Sequence, residues 1–213
     1  MIADAIIERY INEITDAAHK YGKSGLKIYC GLEIDYYRGV ENELRRLTSK
    51  YKFDFLIGAV HCVFDLGFSM MQEAKELYKE YSVAEVFDEY LNLLRDAANS
   101  GYFSTIAHLD YYARYIGQTI GEERRISLEK YLTIFECLKK NNLGIEINTS
   151  PYKRGIADFH PTASLLMAAL NYGVAISSIG SDAHKPSDLG IGVAEAMDFL
   201  EKWRVRAVNP RQI

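Results

Sequence analysis

The sequence predicts an α/β fold built on a parallel sheet, and three observations carry that prediction. Helical and strand periodicities alternate in regular order along the chain. The strand segments are short and continuously apolar, as strands are when helices cover both faces of a sheet. No composition shift, internal repeat or low-complexity linker divides the 213 residues, so 1–213 reads as a single domain.

The elements follow in order. Ile6, Ile7, Tyr10, Ile11, Ile14 and Ala18 recur at helical spacing, which predicts an amphipathic helix over 3–21. "LKIYCGLEI" (26–34) reads as the first strand, 41–50 as a charged helix, and "FDFLIGAVH" (53–61) as the second strand. Residues 71–99 form one long helix or two, with Ser82 as the N-cap of the second. "FSTIAHLD" (103–110) is a third strand, 126–141 a helix, "LGIEIN" (143–148) a fourth strand and 161–172 a helix. "GVAISSIGS" (173–181) is the fifth strand, 191–203 the last helix, and "RVRAVN" (204–209) a short final strand.

Composition excludes some classes of function. A net charge of −4 without a basic stripe argues against a nucleic-acid partner, while leaving room for a small phosphorylated substrate held by one or two cations. Cys30, Cys62 and Cys137 are scattered and form no C-x-x-C pair, which suits free thiols in a reducing cytoplasm. The opening residues are charged and amphipathic, and no membrane span is expected. The 16 tyrosines are dispersed and suggest no function.

Every one of the five main strands ends in acidic or metal-compatible side chains. These are Glu33 and Asp35, His61, His108 and Asp110, Glu146 and Asn148, and Asp182 and His184. In a parallel sheet the carboxyl ends of the strands share one edge, where sites are built. Each residue alone has an ordinary structural reading: a packed histidine for His61 or His108, a helix-start carboxylate for Glu33, an N-cap for Asp182. Their coincidence points to a metal centre, because buried charges need pairing or a cation. Histidines with carboxylates and no cysteine suit Zn, Mn or Fe rather than Ca. Cys62 should point to the opposite face of its strand from His61 and pack there. His19 reads as a solvated residue of the first helix. His160 could reach the mouth or merely pack, and Arg154 and Arg114 follow strand ends where either could bind phosphate bidentately.

Taken in order, "GLEIDY", "DFLIGAVH", "AHLD" with "RY", "GIEINTS" and "GSDAHKPSDLG" resemble the polymerase-and-histidinol-phosphatase (PHP) superfamily, and within it the histidinol-phosphatase branch. The resemblance runs from about Tyr10 to Trp203. It implies a distorted (βα)7 barrel of parallel strands with outer helices and two or three divalent metals at its mouth. It also implies hydrolysis of L-histidinol phosphate by a metal-activated hydroxide. By motif, Glu33, His61, His108, Asp182 and His184 would be metal ligands, with Glu33 bridging, and Glu33, Asp182 and His184 would be catalytic. Asp35, Asn148, Arg114, Arg154 and His160 would serve the substrate, with Arg154 favoured over Arg114 for phosphate.

The pattern departs from that family in one respect. Members open with two strands that carry a His-x-His and an acidic–His pair, and no His-x-His occurs in this sequence. The resemblance therefore implies an incomplete barrel, N-terminally truncated with its first two βα units missing, and an open sheet edge that a homo-oligomer could cover. Two rival readings stay open: a PHP phosphoesterase acting on nucleotides or nucleic-acid ends, and an inactive, metal-poor binding module or fragment.

Overall fold

The computed structural model describes residues 3–119 and 127–208. Its centre is a five-stranded sheet of β1 (Gly31–Asp35), β2 (Phe55–Ala59), β5 (Thr105–Ile106), β6 (Gly144–Asn148) and β7 (Ile176–Gly180). They lie in the order β1-β2-β5-β6-β7, every neighbouring pair parallel. Sequential strands placed side by side require a helical crossover each time, and the helices supply it. These are α1 (Asp4–Gly22), α2 (Glu41–Lys50), α3 (Met71–Glu80), α4 (Val83–Asn99), α5 (Ile116–Thr119), α6 (Leu128–Lys140), α7 (Ala163–Tyr172) and α8 (Val193–Lys202). A small antiparallel hairpin, β3 (Cys62–Val63) and β4 (Leu66–Gly67), follows β2.

Residues 71–99 resolve into two helices, because Ser82 breaks them with a capping box. Its hydroxyl accepts from the Glu85 amide at 3.3 Å, and the Glu85 carboxylate accepts from the Ser82 amide at 2.9 Å. β6 is buried along its whole length, as a central parallel strand should be. Leu56, Ile106, Ile145 and Ile176 from four strands meet Leu94, Ile134 and Leu165 from the covering helices in one continuous core.

Three sequence expectations need correction. The first strand begins at Gly31 rather than Leu26, since Leu26 and Tyr29 are exposed and the register with β2 starts at Gly31↔Phe55. The expected strand over 204–209 does not form among its described residues. Arg204 turns left-handed (φ 53°) to end α8, and Val208 N–H alone reaches across to the Ile176 carbonyl at 2.8 Å. Cys62 is not packed in the sheet but exposed on the hairpin, because β2 ends at Ala59 and strand alternation no longer governs residue 62.

Candidate metal centre

The carboxyl ends of the five strands share one edge of the sheet, and the predicted ligands gather there. Glu33 projects from β1, His61 lies two residues beyond β2, His108 two beyond β5, and Asp182 and His184 two and four beyond β7. Glu33 Oε1 stands 3.6 Å from His61 Nε2 and 3.5 Å from His108 Nε2. One ligand atom from each of the three lies within 4.8 Å of the others. That spacing is long for a hydrogen bond. It matches donors that share a cation, because tetrahedral ligands about 2.1 Å from zinc sit about 3.4 Å apart. Two imidazole nitrogens and a carboxylate oxygen are also a donor set such ions accept. His108 Nε2 is the ring nitrogen turned to Glu33, and its buried Nδ1 has no hydrogen-bond partner among the described residues.

Neighbours fix how these side chains point. Asp35 Oδ1 lies 2.6 Å from His61 Nδ1, so a proton held there turns Nε2 toward Glu33. The backbone at His108 (φ 22°) and Asp182 (φ 51°) is left-handed, a costly conformation for residues with a Cβ. Around His108 the strain is contained by buried tyrosines. Tyr90 donates to the His108 carbonyl at 2.9 Å, Tyr131 to the Leu109 carbonyl at 2.9 Å and Tyr78 to the Tyr112 carbonyl at 2.7 Å. Asp182 is held by Lys153, whose Nζ donates to its carbonyl at 2.6 Å.

Burial alone would push the Glu33 carboxyl up; the His108 imidazole against it, with the charges of His61 and His184, outweighs burial and holds it below the ordinary value. His61 is pushed down by burial and raised on balance by Asp35, Glu33 and Asp182. Glu146 behaves oppositely. Fully buried, with Glu33 and Asp182 nearby, it is pushed up to about 8 and is a neutral acid at pH 7.

Two adjoining cavities open over the cluster, of about 420 and 300 Å3, and both are lined by Glu33, His61, Asp182 and His184. Asp35 lines the larger; His108, Tyr111, Arg114 and Lys153 line the smaller. Arg114 lies across the Tyr111 ring (5.0 Å) and bonds its hydroxyl, while its buried Nε has no partner among the described residues. Such an arrangement can hold a divalent cation beside an anion.

Other predicted residues fall elsewhere. Asn148 is buried below the cavities, near Glu146, and its Oδ1 accepts from the Ser150 amide. His160 packs inside, its Nδ1 2.9 Å from Asp110 Oδ1, and lines neither cavity. Arg154 is exposed and also lines neither, and Lys153 stands in the place expected of it. The two cations share the 3-10 turn Ser150–Arg154, where consecutive side chains point about 120° apart, so only one can face inward. Lys153 and Tyr111 escaped the sequence reading although they lie three residues beyond "GIEINTS" and one beyond "AHLD".

Among the described residues no helix is long and apolar enough to cross a membrane. A family model described as the PHP domain matches residues 6–150. A Deinococcus radiodurans protein named "Probable histidinol-phosphatase" is 27% identical over 205 residues, covering 96% of this chain and 75% of that protein. A Thermotoga maritima protein of the same name is 29% identical, covering 90% of this chain and 85% of its own length. Among solved structures, the histidinol phosphate phosphatase of Lactococcus lactis, complexed with zinc, L-histidinol and phosphate, superposes with a TM-score of 0.67. It is 19% identical, and the match covers 97% of this chain and 77% of that one. A provisionally assigned histidinol phosphatase of Listeria monocytogenes gives a TM-score of 0.73 at 21% identity, covering 91% and 77%.

Proposed function

The chain belongs to the PHP domain family, and on that premise we propose that it is a metal-dependent phosphoesterase whose substrate is L-histidinol phosphate. One observation carries the proposal: Glu33 Oε1 lies 3.6 and 3.5 Å from the Nε2 atoms of His61 and His108, at the carboxyl ends of three adjacent strands. The names of the relatives supply the substrate, and the zinc, L-histidinol and phosphate bound by the Lactococcus lactis enzyme support both metal and ester.

Glu33, His61 and His108 would hold a divalent cation, Zn, Mn or Fe, with Asp182 and His184 opposite them as ligands of a second. Such ions polarise phosphoryl oxygens and lower the pKa of water toward neutrality. The chain's own groups supply the rest. Asp35 fixes the His61 tautomer by accepting a hydrogen bond from its Nδ1–H. Arg114, already aligned by the Tyr111 ring, offers guanidinium protons to the phosphate, and Lys153 adds a second positive charge. Lys153 also holds the Asp182 loop in its left-handed turn. Glu146 sits buried behind Glu33, and in the metal-free site burial and the Glu33 and Asp182 charges favour its neutral form.

The finer architecture belongs to the same proposal: a single domain whose sheet is part of a distorted (βα)7 barrel, with a cytoplasmic setting and a homo-oligomer at the sheet edge. Metal content decides the central point. Purified protein reconstituted with Zn, Mn or Fe should bind metal by elemental analysis and release phosphate from L-histidinol phosphate. A chain that stays metal-free and inactive after all three reconstitutions overturns the reading.

A further inference from the structure

Residues Tyr111–Tyr115 form a 3-10 turn directly after His108 and Asp110. With about three residues per turn, side chains three apart stack on the same side. Arg114 therefore lies back across Tyr111. Its guanidinium stands 5.0 Å from the Tyr111 ring and 5.1 Å from the Tyr115 ring, and its Nη1 donates to the Tyr111 hydroxyl. Tyr111 and Arg114 both line the smaller cavity over the cluster.

The same tyrosine ring meets both histidines of the cluster. Its centroid is 4.9 Å from that of His61, edge-on at 78°, and 4.3 Å from that of His108, tilted by 31°. The two imidazoles are themselves 4.9 Å apart, so the three rings form a close triangle within the range of favourable ring contacts. His160 at 5.5 Å and Phe68 at 6.2 Å also pack against Tyr111, which is only 5% exposed. Its backbone is held separately, the amide donating to the His108 carbonyl at 3.0 Å and to the Tyr90 hydroxyl at 3.3 Å.

The two histidines are thus oriented by different means. A hydrogen bond on the second ring nitrogen is the usual way a ligand imidazole is aimed, and His61 has one in Asp35. His108 Nδ1 is buried with no hydrogen-bond partner among the described residues, and of the two rings packed on that imidazole Tyr111 is the closer.

We propose that Tyr111 is a positioning residue with two separable parts. The ring aims the His108 imidazole by packing, where His61 is aimed by a hydrogen bond. The hydroxyl holds the Arg114 guanidinium at the angle from which it meets the phosphate. One side chain thereby ties the metal half of the site to its anion half. The inference rests on the phosphoesterase reading and adds a residue that acts through His108 and Arg114.

Tyr111→Phe removes the hydroxyl and keeps the ring, whereas Tyr111→Leu removes both. Zinc affinity is read by chelator competition, and inorganic phosphate affinity by calorimetric titration of the zinc-loaded protein. Tyr111→Phe is expected to weaken phosphate by about fivefold or more and to leave zinc affinity near wild type. Tyr111→Leu is expected to weaken zinc as well, by about tenfold or more; should it fail to fold, Tyr111→Met replaces it. In an Arg114→Met background, Tyr111→Phe should have no further effect on phosphate, because the hydroxyl acts through the guanidinium. Unchanged phosphate affinity in Tyr111→Phe, or a loss that persists undiminished in the Arg114→Met background, overturns the inference. So does unchanged zinc affinity in the folded variant that lacks the ring. Neither titration depends on turnover: a wild type that binds zinc and phosphate but hydrolyses no ester strikes the phosphoesterase reading alone, and one that binds no phosphate strikes this inference.

Discussion

The buried hydroxyl of Tyr90, midway along α4, donates to the carbonyl of His108 at 2.9 Å and accepts from the Tyr111 amide at 3.3 Å. A single side chain thus satisfies both sides of the turn that carries a metal-ligand candidate through a left-handed conformation. Removing the hydroxyl takes away one of two donors to the buried His108 carbonyl, which keeps the Tyr111 amide at 3.0 Å, at a cost of about 0.5–1.5 kcal/mol. Tyr90→Phe should lower the unfolding free energy from urea denaturation by that amount and weaken metal binding as His108 relaxes. Arg9→Ala, on the exposed face of α1, is the control. Metal affinity equal to wild type in a destabilised Tyr90→Phe would show that the tyrosine supports the fold alone.

Asp35 acts on the centre through His61. With its carboxylate 2.6 Å from Nδ1, it presents the other ring nitrogen to Glu33. Partners of this kind are worth roughly 10–100-fold in metal affinity. Asp35→Asn keeps the shape and removes the charge, so it should loosen metal by that factor in a chelator competition. Its melting temperature should move little, because the Asp35 side chain is half exposed.

The strand order was legible because short apolar runs alternating with amphipathic helices admit few parallel topologies. The convergence of Glu33, His61, His108, Asp182 and His184 followed from it, since parallel strands bring their carboxyl ends to one edge. What escaped was set by single dihedral angles. Arg154 and Lys153 are adjacent on a 3-10 turn, and no periodicity says which of them faces inward. The tyrosines looked dispersed because their shared task, tying down residues 108–112, is visible only across α3, α4 and α6. The last strand failed because Arg204 terminates α8 left-handed, which no local pattern announced.

Arg114 and Lys153 are the cations that face the cavity, and their removal should act on substrate binding. A hydrogen bond to a charged group contributes about 1.5–3 kcal/mol. Arg114→Met is therefore expected to raise KM for phosphate esters by roughly tenfold or more. Arg154→Met, on the exposed side of the same turn as Lys153, should leave KM near wild type. The opposite order would restore Arg154 as the phosphate ligand.

Glu146 makes the metal-free protein sensitive to pH in a defined direction. Its carboxyl titrates near 4.5 ordinarily and at about 8 in the fold, so between those values the folded state holds a proton that the unfolded state has lost. Stability contributed by this group is thus greatest below pH 4.5, declines as pH rises, and reaches its full cost above pH 8. The slope is at most about 1.4 kcal/mol per pH unit. In chelator-treated protein, the urea midpoint of wild type relative to Glu146→Gln should fall steadily from pH 5 to 8, the amide being unable to ionise. Parallel profiles for the two proteins over that range would place the Glu146 carboxyl outside the buried environment described.

The carboxyl of Glu146 has its space because residue 180 has no side chain. A Cβ at Gly180 would lie 2.5 Å from Glu146 Oε1, closer than any real contact. Gly180 has no positive φ, so alanine there is a test of volume and not of backbone strain. Gly180→Ala should force the carboxyl aside or the β6–β7 pairing apart, at about 1–3 kcal/mol. Glu146→Ala combined with Gly180→Ala empties the contested volume. The penalty of the double variant should then be smaller than the sum of the single penalties by more than about 0.5 kcal/mol, the limit for independent sites. Strict additivity in urea denaturation would mean that the two positions do not share that space.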